Sequence, residues 1–140
     1  MSDVARVVLD TNVLVSALWS SGGNAAAIME LIPTLVVPCY NDAIFSEYID
    51  VLNRAKFDFS APRKESLLSA MKEFGIVISP SKSSISLIDE DDRIFYDTAQ
   101  TGGAILITGN QRHFPSEPFI VSPAAFLKSL KRQTLPLANN

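Results

Sequence analysis

The stretch from Val4 to Asn12, VARVVLDTN, constrains the fold more than any other: an apolar run ends abruptly in a carboxylate, a hydroxyl and an amide. Val7, Val8 and Leu9 show no alternation of apolar and polar positions and are rich in β-branching. That is the pattern of a strand buried on both faces of a parallel sheet. In open α/β sheets ligands bind in the crevice beyond the carboxyl ends of the strands, so such a strand delivers Asp10 to the edge where chemistry is done. Asn12 is the expected N-cap of a helix opening at Val13, with Leu14 and Ala17 on its apolar side. Two readings of Asp10 stay open at this point: a functional acid, or a helix cap.

The rest of the chain repeats the alternation of short apolar runs with helical spacing. A helix ending at Trp19 is broken by Ser20-Ser21-Gly22-Gly23, and a second, with Ala26, Ala27, Ile28, Leu31 and Ile32, stops at Pro33. Leu35-Val36-Val37 predicts a second buried strand ended by Pro38 and Cys39. Asn41 or Asp42 then caps a helix to about Asn53 that carries Glu47 among apolar neighbours. A loop over Arg54 to Arg63, a helix from Lys64 to Phe74 and a third buried strand at Ile76-Val77-Ile78 follow. After a serine-rich loop, Asp89-Glu90-Asp91-Asp92 opens a helix that ends at Gly102-Gly103. Acids are favoured at a helix N-terminus, but four in a row exceed what capping requires. Ala104 to Ile107 predicts a fourth strand, Phe119 to Val121 a fifth, and Ser122-Pro123 starts a last helix. Right-handed crossovers between such elements give a three-layer α/β/α sandwich around a parallel sheet of four to five strands.

With 47% hydrophobic residues over 140 positions, the chain can bury one domain core, expected over 1–132 with a frayed tail at 133–140. A net charge of −3 excludes a basic nucleic-acid coat, so any polyanion must be met by local positive charge. The single Cys39 leaves no intrachain disulfide and no cysteine-rich zinc site, and it fits a reducing compartment and a packing role. With no basic-then-apolar leader pattern at the start and no apolar stretch of membrane-spanning length, the expected location is the cytoplasm.

In a parallel sheet Asp10, Thr11, Asn12, Asn110 and either Asp91 or Asp92 converge at one edge; Glu47 joins them only if its helix lies across it. Carboxylates gathered in a crevice repel one another and raise each other's pKa values, a cost that a divalent cation removes. Hard oxygen donors without His or Cys select Mg²⁺ or Mn²⁺ over zinc. His113, the lone histidine, is a candidate general acid or RNA contact but reads more readily as structural or idle; Trp19 reads as a residue that packs in the core, stacks on a base or meets a partner, and Asp97 as a surface or accessory acid.

The blocks VVLDTNVLVSAL, FSEYIDVL, DEDDRIFYDTA and GGAILITGNQRHF, in this order and spacing, resemble the PIN-domain family, in particular the bacterial, VapC-like branch of toxin components of toxin–antitoxin systems. The resemblance runs from about Val4 to Val121. It implies metal-dependent cleavage of RNA by water, with Asp10, Glu47 and Asp92 as the catalytic, metal-holding acids and Asp91 as the fallback for the third. A further acidic position falls on Asn110, an amide that can ligate a cation but adds no charge. Thr11, Asn12 and Thr108 fall on polar positions that orient the acids. Arg54, Lys56, Arg63, Lys64 and Arg112 are candidates to track an RNA backbone. An antitoxin and a second copy of the chain, meeting through exposed apolar residues of the early helices, are the implied partners, and a non-catalytic RNA- or protein-binding module is the alternative. A haloacid-dehalogenase phosphatase needs a second Asp where Asn12 stands, and a phosphorelay receiver needs an Asp where Ser79-Pro80 stand.

Overall fold

The computed structural model describes residues 4–134. β1 (Ala5–Leu9) leads into α1 (Thr11–Trp19) and α2 (Asn24–Glu30); β2 (Val36–Tyr40), α3 (Asp42–Leu52) and α4 (Ala61–Phe74) follow. Then come β3 (Ile76–Val77), a loop, α5 (Arg93–Gly102), β4 (Ile105–Ile107), β5 (Ile120–Val121) and α6 (Pro123–Thr134). Single 3₁₀ turns at Glu90–Asp92 and Gln111–His113 precede α5 and β5. All strand pairs are parallel, in the order β3-β2-β1-β4-β5, and flanking helices complete the α/β/α sandwich.

The run that marks β1 in the sequence places it at the centre of the sheet. Val7, Val8 and Leu9 are fully buried, with α5 packed across β1, β2 and β4. From β1 the chain steps outward to β2 and β3, then returns past β1 to β4 and β5. The direction of winding therefore reverses between β1 and β4, and their carboxyl ends, at Leu9 and Ile107, frame a crevice of the kind that binds ligands.

Several expectations are corrected. Pro38 and Cys39 do not end β2, which runs through both to Tyr40. Leu35 O accepts from Ala5 N–H on the β1 side and Tyr40 O accepts from Ile78 N–H on the β3 side, so alternation turns Pro38 toward β3. Because β3 begins only opposite Cys39, the missing N–H of proline costs no ladder bond. The third strand is a two-residue edge rather than a buried strand, and Val77 is 64% exposed. The helix expected from Lys64 begins at Ala61, with Pro62 in the first turn, where an N–H is not needed, and Ser60 as its cap. Asp97 is buried rather than on the surface: its Oδ2 accepts from Ser83 N–H at 3.2 Å beneath the loop that crosses α5. Arg93 holds the same loop through the carbonyls of Ser83 and Ile85. The last helix continues through Thr134, beyond the expected end of the domain; the remainder of the expected tail, 135–140, lies outside the described residues. Among the described residues no helix is long and apolar enough to cross a membrane.

Candidate active site

Asp10 is the first residue past β1 and the N-cap of α1, so both readings of it meet in one side chain. Asn12 is not the cap; it sits inside the first turn, because Asp10 already accepts from Thr11 N–H at 2.8 Å. The other carboxylate oxygen, Oδ2, accepts from Asn12 Nδ2 at 3.1 Å and from Thr108 Oγ1 at 2.7 Å. Asn12 Oδ1 in turn accepts from Gly109 N–H at 2.9 Å, and Thr108 Oγ1 accepts from Asn110 N–H at 2.9 Å. The turns after β1 and β4 are thus laced together across the switch point. Asp10 is 6% exposed; burial raises its pKa, and the bonds from Thr108, Thr11 and Asn12 lower it in part. Replacing Thr108 with valine keeps the shape but removes one of these donors. We expect a loss of about 1–3 kcal/mol in urea unfolding, because a buried charged oxygen is left short of a partner.

Glu47 is brought to the same edge. Asn41 caps α3 by accepting from Ile44 N–H at 3.1 Å, while its Nδ2 donates to Ile78 O at 3.1 Å and Thr98 Oγ1 at 2.9 Å. This pins the start of α3 between the end of β3 and α5, and Glu47 Oε2 then accepts from Thr11 Oγ1 at 2.7 Å. The next residue, Tyr48, is buried and donates to Leu9 O at 2.6 Å, immediately before Asp10. Burial, then the charges of Asp10 and Glu47, push the Tyr48 hydroxyl well above its ordinary pKa, so it stays a donor. Sequence reading placed Tyr48 on an apolar helix face and missed this bond. The available signal was a tyrosine among apolar neighbours, whose hydroxyl must find a partner when buried.

Of the two neighbouring aspartates, Asp92 turns inward, its side chain 17% exposed, whereas Asp91 is exposed. Burial, then the charges of Asp10 and Asp89, raise the Asp92 pKa to about 6. Its Oδ2 is buried without a hydrogen-bond partner. His113 Nδ1 lies 3.3 Å from that oxygen, an ion pair when the ring is protonated, so the histidine read as idle stands at the site. Asn110 lies just past Thr108 and is exposed, as is Arg112, which lines a shallow cavity with Phe114 and Glu117. The other candidate cations lie away from the acids: Arg54 pairs with Asp50 at 3.3 Å, Lys64 donates to Asn53 Oδ1 at 2.6 Å, and Lys56 covers the ring of Phe57.

Among the described residues no three His, Cys, Asp or Glu side chains converge closely enough to surround an ion by themselves. Mg²⁺ does not ask for that: it keeps several waters and is held by one or two carboxylates together with substrate phosphate. Asp10 and the inward-turned Asp92 fit such a cation, and Thr11 links Glu47 to Asp10, its N–H meeting Asp10 and its hydroxyl Glu47.

Fold and site together define an α/β protein with an acid-lined crevice at its switch point. The PIN domain family model matches residues 6–112, and the chain belongs to that family. PIN domains are generally nucleases. The chain is 28% identical over 116 residues to the uncharacterized protein MJ1680 of Methanocaldococcus jannaschii, covering 76% of this chain and 71% of that one. Its fold is similar to that in the crystal structure of VapBC2 from Rickettsia felis bound to a DNA fragment from their promoter. The TM-score is 0.52 at 16% identity, with 84% of this chain and 96% of that one covered.

Proposed function

We propose that this protein is a Mg²⁺- or Mn²⁺-dependent endoribonuclease and the toxin component of a toxin–antitoxin system. The observation that carries the reading is the inward-turned Asp92 carboxylate, whose pKa is raised by burial and by the charge of Asp10, with His113 Nδ1 3.3 Å from its Oδ2. Carboxylates that raise one another's pKa in this way are costly to ionise unless a cation joins them. Family membership supplies the nuclease class, and the fold shared with VapBC2 supports the toxin–antitoxin assignment, with an antitoxin and a second copy of the chain as partners in the cytoplasm.

Asp10, fixed by three donors, and Asp92 would hold the metal, with Glu47 and Asn110 completing its surroundings directly or through water. When bound, the metal supplies positive charge to a phosphate oxygen and lowers the pKa of water. The chain's own residues do the positioning. Thr108, Thr11 and Asn12 keep the Asp10 oxygens in one orientation, and Thr11 steadies Glu47. The crevice is otherwise acidic, so without metal it repels RNA.

The test is cleavage of a pool of labelled RNAs by the purified chain in Mn²⁺, Mg²⁺ or EDTA. Cuts present with either metal and absent in EDTA are expected. If no RNA is cut and neither metal raises the melting temperature, the non-catalytic binding module replaces this reading.

A further inference from the structure

We propose that Tyr48 is a positioning residue of the active site: its hydroxyl holds the Leu9–Asp10 peptide while its helix carries Glu47, so that the two acids keep one spacing. The proposal rests on the metal-dependent nuclease reading and adds to it a residue that acts through Asp10 and Glu47. Tyr48 is fully buried on α3 and donates to Leu9 O at 2.6 Å. That carbonyl and the N–H of Asp10 belong to one planar peptide. The N–H donates to Ile107 O at 3.0 Å, on the β4 side. On the other side the ladder with β2 runs from Ala5 opposite Val36 to Val7 opposite Pro38, so Leu9 lies beyond it. Tyr48 grips the peptide at the end this ladder does not reach. The plane from which the Asp10 side chain departs is thereby held from both sides.

The same side chain fixes α3. Glu47 directly precedes Tyr48, so the seat of the tyrosine ring decides where the glutamate leaves the helix. Asn41 pins the start of α3 to Ile78 and Thr98, and a single pin leaves a helix free to pivot. Tyr48 is a second pin, about 10 Å further along by helix rise. The Thr11–Glu47 bond constrains the backbone less, because a glutamate side chain turns about several bonds. The tyrosine ring is closed in by Phe45 and Phe95, whose ring centres lie 6.1 and 6.4 Å away. Phe95 is itself fully buried on α5, one turn past Asp92, the N-cap of that helix. Tyr48 thus stands where the elements bearing Asp10, Glu47 and Asp92 meet. A ring alone would serve packing; the hydroxyl adds a directed bond to the peptide on which Asp10 is built.

Tyr48→Phe keeps the ring and deletes only the hydroxyl. The control is Ile28→Val, since Ile28 is fully buried on α2, the helix that leads into the start of β2, at the edge of the sheet opposite the acids. Both variants are expected to fold and to melt a few degrees below the wild type. Mn²⁺ is titrated into the full chain by calorimetry, and cutting of labelled RNA is followed at each Mn²⁺ concentration. In Tyr48→Phe the Kd for Mn²⁺ is expected to rise about tenfold and the cutting rate at limiting Mn²⁺ to fall, with the KM for RNA unchanged. Ile28→Val should match the wild type in all three. In a Glu47→Gln background the effect of Tyr48→Phe should shrink to about twofold, because the spacing matters only while both acids are charged. Equal effects of Tyr48→Phe and Ile28→Val on Mn²⁺ binding, or the same tenfold change with and without the Glu47 charge, would make Tyr48 a packing residue and overturn the proposal. Wild-type Mn²⁺ affinity in Tyr48→Phe, in a chain that cuts, would overturn it too and leave the nuclease standing. A wild type that neither binds Mn²⁺ nor cuts removes both.

Discussion

Asp10→Asn is expected to abolish metal-dependent RNA cutting, by about 10²-fold or more, while leaving the protein folded. The loss follows from charge: the substituted amide offers a cation one neutral oxygen where the carboxylate offered a full negative charge. The near-neutral effect on stability follows from two opposed terms. All three partners of Asp10 are donors, namely Thr11 N–H, Asn12 Nδ2 and Thr108 Oγ1. An amide must point its own NH₂ at one of them. Thr108 can turn its hydroxyl to accept, but Asn12 cannot, so about one hydrogen bond is lost, costing about 1–3 kcal/mol. Against this, the substitution removes a charge whose pKa is raised by burial, which relieves part of that cost. The check is cleavage alongside thermal melting with and without Mn²⁺. Metal at a hundred times its Kd stabilises a folded protein by about 2.7 kcal/mol, so the wild type should melt visibly higher with Mn²⁺ and the variant should not. A variant that cuts as well as the wild type would remove Asp10 from the chemistry.

What could be read from the sequence depended on whether the signal was local. β1 was legible because a strand covered on both faces must be apolar at every position, and the place of Asp10 at the carboxyl edge of the sheet followed from strand parallelism, whereas the switch point there needed the strand order. The edge strand β3 was misjudged because Ile76-Val77-Ile78 carries the same local signal as a buried strand. Only the pairing order shows that nothing lies beyond it. Pro38 was misjudged for a related reason: whether a missing N–H matters depends on which neighbour it faces and how far that neighbour extends. At the site, Asp10 and the acidic run before α5 stood out as charges in unexpected places. Glu47 did not, since a carboxylate on a half-apolar helix is ordinary, and what brings it in is the Asn41 clamp on Ile78 and Thr98. Tyr48 was invisible as a site residue, and His113 could not be told from an idle loop histidine, because their partners, the Leu9 carbonyl and Asp92, are separated from them by many residues of chain.

Asp92→Asn tests the same site from the opposite direction: it is expected to stabilise the metal-free protein at neutral pH and to end its response to metal. In the folded chain the Asp92 carboxyl has a pKa of about 6 against an ordinary 3.8, chiefly through burial and then through the charges of Asp10 and Asp89. The folded state therefore binds this proton more tightly than the unfolded state. The associated stability is fully present below about pH 4 and is lost as the pH rises through 6. A shift of this size corresponds to about 3 kcal/mol at most, reduced by solvent screening because the side chain is only partly buried. An asparagine does not ionise, so the difference in unfolding free energy between variant and wild type should be smallest near pH 4 and favour the variant by about 2–3 kcal/mol near pH 7.5 in EDTA. Adding Mn²⁺ should reverse the order, because the wild type gains binding energy that the variant lacks. Urea unfolding at the two pH values, with and without metal, reads all four quantities on one pair of proteins. A variant less stable than the wild type in EDTA at pH 7.5 would mean that the Asp92 charge is stabilised by the fold itself. The repulsion that a cation is proposed to relieve would then be absent. A reversal with Mn²⁺ would instead tie stability to function: the arrangement of carboxylates that weakens the metal-free chain would be the one that gives the proposed metal its place.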